Sequence, residues 1–208
     1  MADLLADISC KDFATELAAK KSVPGGGGAA AYVGALGAAL CSMAGVFTAG
    51  KEKFASVEAD MQRMLAEAET IRARLVDLMD EDAAAFAPLA QAYGIPKEDP
   101  MRAETLEVCT KAALVCPLEM VRLVCNTIDL LEEMAAKCSR LIVSDAGCGA
   151  SLCRAALEAA AMNVFINTKT LQDRAYAEEV EGEVDALLNK YIPKAEAISA
   201  SVMNAIKE

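Results

Sequence analysis

Asp82 is the residue whose type and place speak most directly of chemistry. Leu78 and Met79 precede it by four and three positions, and Ala85 and Phe86 follow by three and four. In a helix these offsets share one face, so the carboxylate projects from an apolar stripe while Asp80 and Glu81 lie on other faces. A charge so placed costs on the order of several kcal/mol unless it is paired or neutralised. The spacing therefore predicts either an ion pair with an Arg or Lys of a neighbouring helix, or a carboxylic acid of raised pKa suited to proton transfer. None of the 208 residues is His. That excludes imidazole acid–base chemistry, His-bearing catalytic triads and His-ligated metals, and leaves carboxylate, Lys, Tyr and Cys to move protons.

Other segments hold polar groups in patterned places. Pro24 is followed by four glycines, Gly25 to Gly28. Their backbone N–H groups stand at the start of a helix, where the dipole attracts negative charge, but no Gly-Lys-Ser or Gly-Lys-Thr ending follows. The segment is read either as a ligand loop or as a tight turn that lets helices approach. Lys51 and Lys53, after Gly50, either end the next helix as a solvated turn or anchor an anionic ligand. Asn163 and Asn167 are four apart on an otherwise apolar stretch, so their amides share a face and satisfy helix ends or read a heterocycle. Asp145, after Ser144, is first of all an N-cap.

The elements that position these groups are helices. The chain is 55% hydrophobic but only 4% aromatic, a mixture that favours closely packed helices over strands. Ser9 to Asp12 forms a capping-box variant opening a short helix to about Lys21. A small-residue helix is expected over 29–49, a long amphipathic helix over 56–93, and a fourth over 102–137 kinked at Pro117. A fifth, capped by Ser144-Asp145, is expected to reach Asn167, and a sixth to cover 171–206. The expectation is an all-α fold, residues 1–208 forming a single-domain helical bundle of about six helices with a central small-residue buried helix.

No charge interrupts Ala29 to Ala49, a length that could cross a membrane. Its Ala and Gly content predicts weak insertion, so a buried helix of a soluble bundle is expected. The formal charge of −11, without a basic stripe, disfavours nucleic acid. The eight cysteines show no C-x-x-C pair and no leader-like segment precedes them, which predicts reduced core thiols of a cytoplasmic protein, with neither zinc nor disulfides.

In order, these motifs resemble the cyclodeaminase/cyclohydrolase family, whose members include the carboxy-terminal domain of formiminotransferase-cyclodeaminase and stand-alone bacterial folate enzymes. The resemblance covers most of the chain. It rests on Pro24-Gly25-Gly26-Gly27 before the Ala-rich helix, Gly50-Lys51 with Lys53, and Asp82 before Ala85-Phe86. It continues through Pro117, Ser144-Asp145 and Asn163-Val164 with Ile166-Asn167. Two departures stand out: Gly28 where family members usually have Ser, and Lys137-Cys138-Ser139-Arg140 where many have a Gly-Asn pair.

The resemblance implies an all-helical homodimer that binds a reduced folate, needs no cofactor beyond tetrahydrofolate, and acts on the one-carbon unit at N5 and N10. Two reactions fit: cyclodeamination of 5-formiminotetrahydrofolate with loss of ammonia, and hydrolysis of 5,10-methenyltetrahydrofolate to the 10-formyl product. Both need a proton acceptor and a proton donor, a part for which Asp82 is the candidate. The anionic glutamate tail is expected at Lys51 or Lys53, and the pterin N–H groups at Asp145. The Pro24–Gly28 backbone, Asn163 and Asn167 are expected to line the pocket. The absence of a transferase domain from the sequence leans toward the cyclohydrolase. The alternative is a non-catalytic folate-binding or scaffold module in which Asp82 only pairs internally.

Overall fold

Small residues set the geometry of this bundle, because helices approach as closely as their side chains allow. The computed structural model describes residues 4–208. Six α-helices follow in order: α1 Cys10–Leu17, α2 Gly26–Val46, α3 Glu58–Ala92, α4 Arg102–Lys137, α5 Val143–Thr168 and α6 Arg174–Lys207, with a 3-10 helix at Glu52–Val57 before α3. No strand occurs among the described residues. Helix α2 lies between α3 and α5 and also touches α4, while α6 packs on α4 and α5.

Glycines mark the crossings. A Cβ on Gly34 would stand 3.0 Å from Val124 Cγ2, and one on Gly45 2.8 Å from Leu65 Cδ2. A Cβ on Gly37 would overlap the Cys153 sulfur and lie 3.2 Å from the Gly149 carbonyl. The same contacts give direction: Gly26 meets Asn163 and Gly37 meets Cys153, so α2 and α5 run antiparallel. Their far ends are tied by Ser139 N–H donating to Thr48 Oγ1 at 2.9 Å, and Thr48 is fully buried. Helices α3 and α4 are antiparallel too, joined by ion pairs Arg74–Glu119, Arg63–Glu133 and Lys137–Asp60.

Several boundaries differ from the sequence expectation. Helix α2 begins at Gly26, with Gly25 as its N-cap, so three glycines form its first turn and are not a loop. Glycine has no side chain to clash as α2 docks, and the turn is held by packing where propensity alone would not hold it. Ser144 and Asp145 lie inside the first turn of α5, whose N-cap is Ile142 and which has no side-chain cap. The last helix instead starts at Arg174, where the Asp173 carboxylate accepts from Tyr176 N–H at 3.2 Å. Ser9 caps α1 as the spacing implied, its hydroxyl accepting from Asp12 N–H at 3.1 Å and donating to Asp12 Oδ2 at 2.6 Å.

The core is assembled from Leu, Met, Val, Ala and five buried cysteines, while Cys10 and Cys148 are exposed and Cys109 is half-buried. All eight thiols are free. The two exposed thiols depart from the expectation of core burial, because they fall on outer faces of α1 and α5. Two helices, α2 and α5, are long and apolar enough to cross a membrane by length and composition, with mean hydropathy 1.6 and 1.2 over their best windows. They pack against one another, and half of the α2 window is buried within the bundle.

The glycine contacts generate a paired stability prediction. In an exposed helix Gly→Ala gains up to about 1 kcal/mol, whereas forcing a methyl into a filled contact costs about 1–3 kcal/mol. Gly37→Ala should therefore lower the urea midpoint. Gly182→Ala, on an open face of α6 with nothing within 4 Å of the new methyl, should leave it unchanged or raise it.

Candidate active site at the start of the central helix

The carboxylates of Asp80, Glu81 and Asp82 are consecutive in α3, and their fates diverge. Asp80 accepts from the backbone N–H groups of Leu5 at 2.6 Å and Ala6 at 3.3 Å, strapping the N-terminal segment to α3. Glu81 receives the Arg74 guanidinium at 2.5 and 2.8 Å, and the same guanidinium holds Glu119 of α4. This pairing lowers the Glu81 pKa. Asp82 has neither an ion pair nor a hydrogen bond among the described residues, and it is half-buried. Desolvation alone raises its pKa from 3.8 to about 6. Of the two states open to it from sequence, it adopts the second.

Its carboxylate lies against the first turn of α2. A Cβ on Gly27 would overlap both carboxylate oxygens, so only glycine fits there. Gly27 and Gly28 are buried and Gly26 is exposed, leaving the opening of the turn facing outward beside Asp82. Helix α2 has no side-chain cap, and its first N–H groups point at this opening with the positive end of the helix dipole. Pro24, reached through a cis Val23–Pro24 peptide, is buried with its Cβ within reach of Gly28.

Asn163 of α5 closes the opposite wall. Its amide nitrogen stands 3.2 Å from where a Gly26 Cβ would be, and it donates to the Ala159 carbonyl at 2.8 Å. That bond orients the amide and leaves its oxygen free to accept. Asn167 sits one turn further along α5, half-buried, with no side-chain hydrogen bond among the described residues. The Cys116 thiol of α4 is buried on the same side, its pKa pushed up to about 11, first by burial and then by the charge of Asp82. Sequence reasoning passed over Cys116 as a packing residue. Its one signal was its place directly before Pro117. Beside Pro24 a groove of about 680 Å³, lined in part by Leu5, Ile8, Val23 and Asp80, leads to the same end of the bundle.

Lys51, Lys53 and Asp145 are elsewhere. Antiparallel packing puts the start of α5 at the finish of α2, so all three gather there. The 21 residues of α2 separate them from Asp82 by ~30 Å at 1.5 Å per residue. Lys51 and Lys53 are exposed and form no ion pair among the described residues, although Lys53 Nζ lies 5.5 Å from the Phe54 ring centre. Within one chain the candidate residues thus form two groups: Pro24, Gly25, Gly26, Gly27, Asp82, Asn163 and Asn167 at one end, and Lys51, Lys53 and Asp145 at the other. No extended folate monoglutamate bridges that span. Among the described residues no cluster of three or more Cys, Asp or Glu side chains is arranged to hold a metal ion.

Comparison with known proteins places the chain in a family. The family model described as formiminotransferase-cyclodeaminase matches residues 9–186. A methenyltetrahydrofolate cyclohydrolase of Methylorubrum extorquens is 42% identical over 180 residues, covering 85% of this chain and 86% of the relative. The formimidoyltransferase-cyclodeaminase of Mus musculus is 32% identical over 202 residues, and the match spans 37% of that longer protein. The crystal structure of formiminotetrahydrofolate cyclodeaminase from Thermotoga maritima superposes with a TM-score of 0.83 at 28% identity, covering 95% of this chain and 98% of that one. With the motifs of α2, α3 and α5 inside the matched span, the chain belongs to the formiminotransferase-cyclodeaminase family.

Proposed function

We propose that this protein is a folate one-carbon enzyme, a 5,10-methenyltetrahydrofolate cyclohydrolase, in which Asp82 takes and returns the proton. The observation that carries the reading is an unpaired, desolvated carboxylate held against the open first turn of α2. The choice of hydrolysis over cyclodeamination is supported by the 42% identical cyclohydrolase, which the match covers nearly end to end.

The chemistry follows from charge. The methenyl bridge is a cationic amidinium, attracted to the Asp82 anion, which in turn polarises a water beside it. Water adds to the methenyl carbon and passes one proton to Asp82. The tetrahedral adduct then collapses: the N5–carbon bond breaks, Asp82 returns a proton to N5, and the hydroxyl loses its proton as the 10-formyl carbonyl forms. The free N–H groups at the start of α2 stand where they can stabilise oxygen carrying developing negative charge. The Asn163 oxygen is free to accept from a pterin N–H. Water and one carboxylate supply the whole reaction, so no cofactor beyond the folate is invoked. Eight free thiols, three of them at least partly exposed, suit a reducing compartment such as the cytoplasm.

The working unit in this reading is a homodimer. Leu36, Met43, Val46 and Phe47 of α2 and Met162 and Ile166 of α5 are exposed, Val46, Met162 and Ile166 by more than 60%. Together they make an apolar face running between the two groups of site residues. A second copy packed on this face about a two-fold axis sets the Lys51–Asp145 end of one chain against the Gly27–Asp82 end of its partner. The distance between the groups within one chain then becomes proximity between chains. Lys51 meets the glutamate tail and Asp145 the pterin.

Five outcomes test this reading. Methenyltetrahydrofolate and 5-formiminotetrahydrofolate assayed side by side should show faster turnover of the first. Asp82→Asn should lower turnover at least about 100-fold with folate still bound; near-normal turnover would remove Asp82 from the chemistry. The kcat/KM of the wild type should rise with pH through about 6, the Asp82 value. The kcat limb should lie lower, because the bound cation favours the carboxylate. A raised native pKa also means that protonation of Asp82 adds stability, fully present below pH about 4 and lost as pH rises through about 6; Asp82→Asn should flatten that part of the urea stability profile. Finally, Asp82→Asn mixed with Lys51→Glu, assayed at low substrate, should recover up to about a quarter of wild-type activity, since half the dimers are hybrids with one intact site. No recovery on mixing, with exchange shown by mass, would rule out a shared site.

A further inference from the structure

Glycine weakens a helix more than any residue but proline, so a glycine buried inside one needs a reason. Gly27, Gly34, Gly37, Gly45, Gly147 and Gly149 each have one: a Cβ would stand within 3.0 Å of an atom on another helix. Gly28 is buried in the first turn of α2 and has no such reason. A Cβ there would lie 3.8 Å from Pro24 Cβ and 3.9 Å from the Met79 carbonyl oxygen, both ordinary contact distances. The backbone does not demand glycine either, since Gly50 alone has a positive φ among the described residues. Because Gly28 is already buried within its own chain, no second copy needs it to be small. Alanine or serine would fit and would favour the helix.

A side chain at 28 would enter the space between two acceptors. Gly27 and Gly28 are consecutive, and α3 sets an acceptor against each: the Asp82 carboxylate against Gly27, and the Met79 carbonyl, three residues earlier, against Gly28. A helical carbonyl spends one lone pair on the N–H four residues on and keeps a second. The Asp82 carboxylate has no partner among the described residues. A buried water needs at least two polar partners, and these two acceptors suit its two hydrogens.

We infer that Gly28 is a specificity-determining residue: by carrying no side chain it keeps clear the place between the Met79 carbonyl and Asp82 from which the hydrolytic water attacks. This rests on the cyclohydrolase reading above and names the residue that selects hydrolysis. Water seated there donates one hydrogen to the Met79 oxygen and the other to Asp82, leaving a lone pair for the methenyl carbon. As the oxygen–carbon bond forms, the proton facing Asp82 passes to it, and it moves on to N5 when the N5–carbon bond breaks. The remaining hydroxyl proton leaves as the formyl carbonyl forms, and the Met79 carbonyl only orients. Cyclodeamination needs no such water, since N10 is the nucleophile and ammonia leaves. A serine at 28 would carry its hydroxyl one bond beyond the Cβ, within reach of the Met79 oxygen, and hold a fixed O–H in the water's place. At this position the chain departs from its resemblance, in which Ser is usual.

The test is steady-state kinetics of full-length Gly28→Ser and Gly28→Ala with 5,10-methenyltetrahydrofolate and 5-formiminotetrahydrofolate, alongside the urea midpoint of each variant. Gly28→Ser should lower kcat for the methenyl substrate at least about tenfold while KM stays within about twofold. Turnover of the formimino substrate should fall less, moving the ratio of the two at least about fivefold toward cyclodeamination. Gly28→Ala, which obstructs the place without supplying a hydroxyl, should lie between wild type and Gly28→Ser in hydrolysis. Neither variant should lower the urea midpoint, because a Cβ fits. Undiminished hydrolysis in Gly28→Ser, an equal fall with both substrates, or a lower midpoint in Gly28→Ala, meaning that packing demands glycine, would overturn the inference. Wild-type hydrolysis that Gly28→Ser leaves intact would spare the cyclohydrolase reading; a wild type without hydrolysis would remove that reading before any variant is made, and the inference with it.

Discussion

Close packing of α2 against α3, α4 and α5 requires glycine where the neighbours press nearest. Gly34 meets Val124 and Leu75, Gly37 meets Cys153, and Gly45 meets Leu65 and Met134. The spacing continues to the first turn, where Gly27 meets the Asp82 carboxylate, which has no hydrogen bond or ion pair among the described residues. The contact that seats α2 in the bundle is thus also the one that desolvates Asp82. Burial without compensation is unfavourable for stability. Here it holds a carboxylate close to neutral pH, as the proposed proton transfer requires, which fits the general pattern of functional sites built at local cost.

Charge is distributed with a similar logic. Most acids and bases near the site are engaged with one another: Arg74 ties Glu81 to Glu119, and Asp80 holds the N-terminal segment. Such exposed pairs contribute little stability individually. Their consequence is electrostatic isolation: among the described residues no cation pairs with Asp82, and the neighbouring Asp80 and Glu81 are already engaged. At the other end of α2, Lys51 and Lys53 carry no ion pair among the described residues.

Much of this was legible in the residues. Periodicity and composition gave six helices, and the mid-helix Pro117 and the Ser9 cap stand where the spacing put them. The stripe around Asp82 identified a buried carboxylate because helical offsets are a local property. Less legible were boundaries that packing decides. Three glycines in a helical turn contradict propensity, and Ser144-Asp145 has the composition of a cap while Ile142 occupies the position. Cys116 resembled any other core thiol, since its nearness to Asp82 depends on how α3 and α4 are registered.

The sequence by itself determined the kind of chemistry available. With no histidine, proton transfer falls to carboxylate, Lys, Tyr or Cys, and the helix period singles out Asp82 as the carboxylate on an apolar stripe. Only the tertiary structure decided which of its two states Asp82 adopts, because that turns on whether a cation from another helix arrives; among the described residues none pairs with it, and Arg74 of its own helix is taken by Glu81 and Glu119. Only the structure, too, showed that Lys51, Lys53 and Asp145 stand a helix length away from Asp82. Motif order along the chain carries no information on whether α2 and α5 run parallel or antiparallel, and the antiparallel packing read from Gly26 against Asn163 and Gly37 against Cys153 is what sets the two groups of candidate residues at opposite ends of α2.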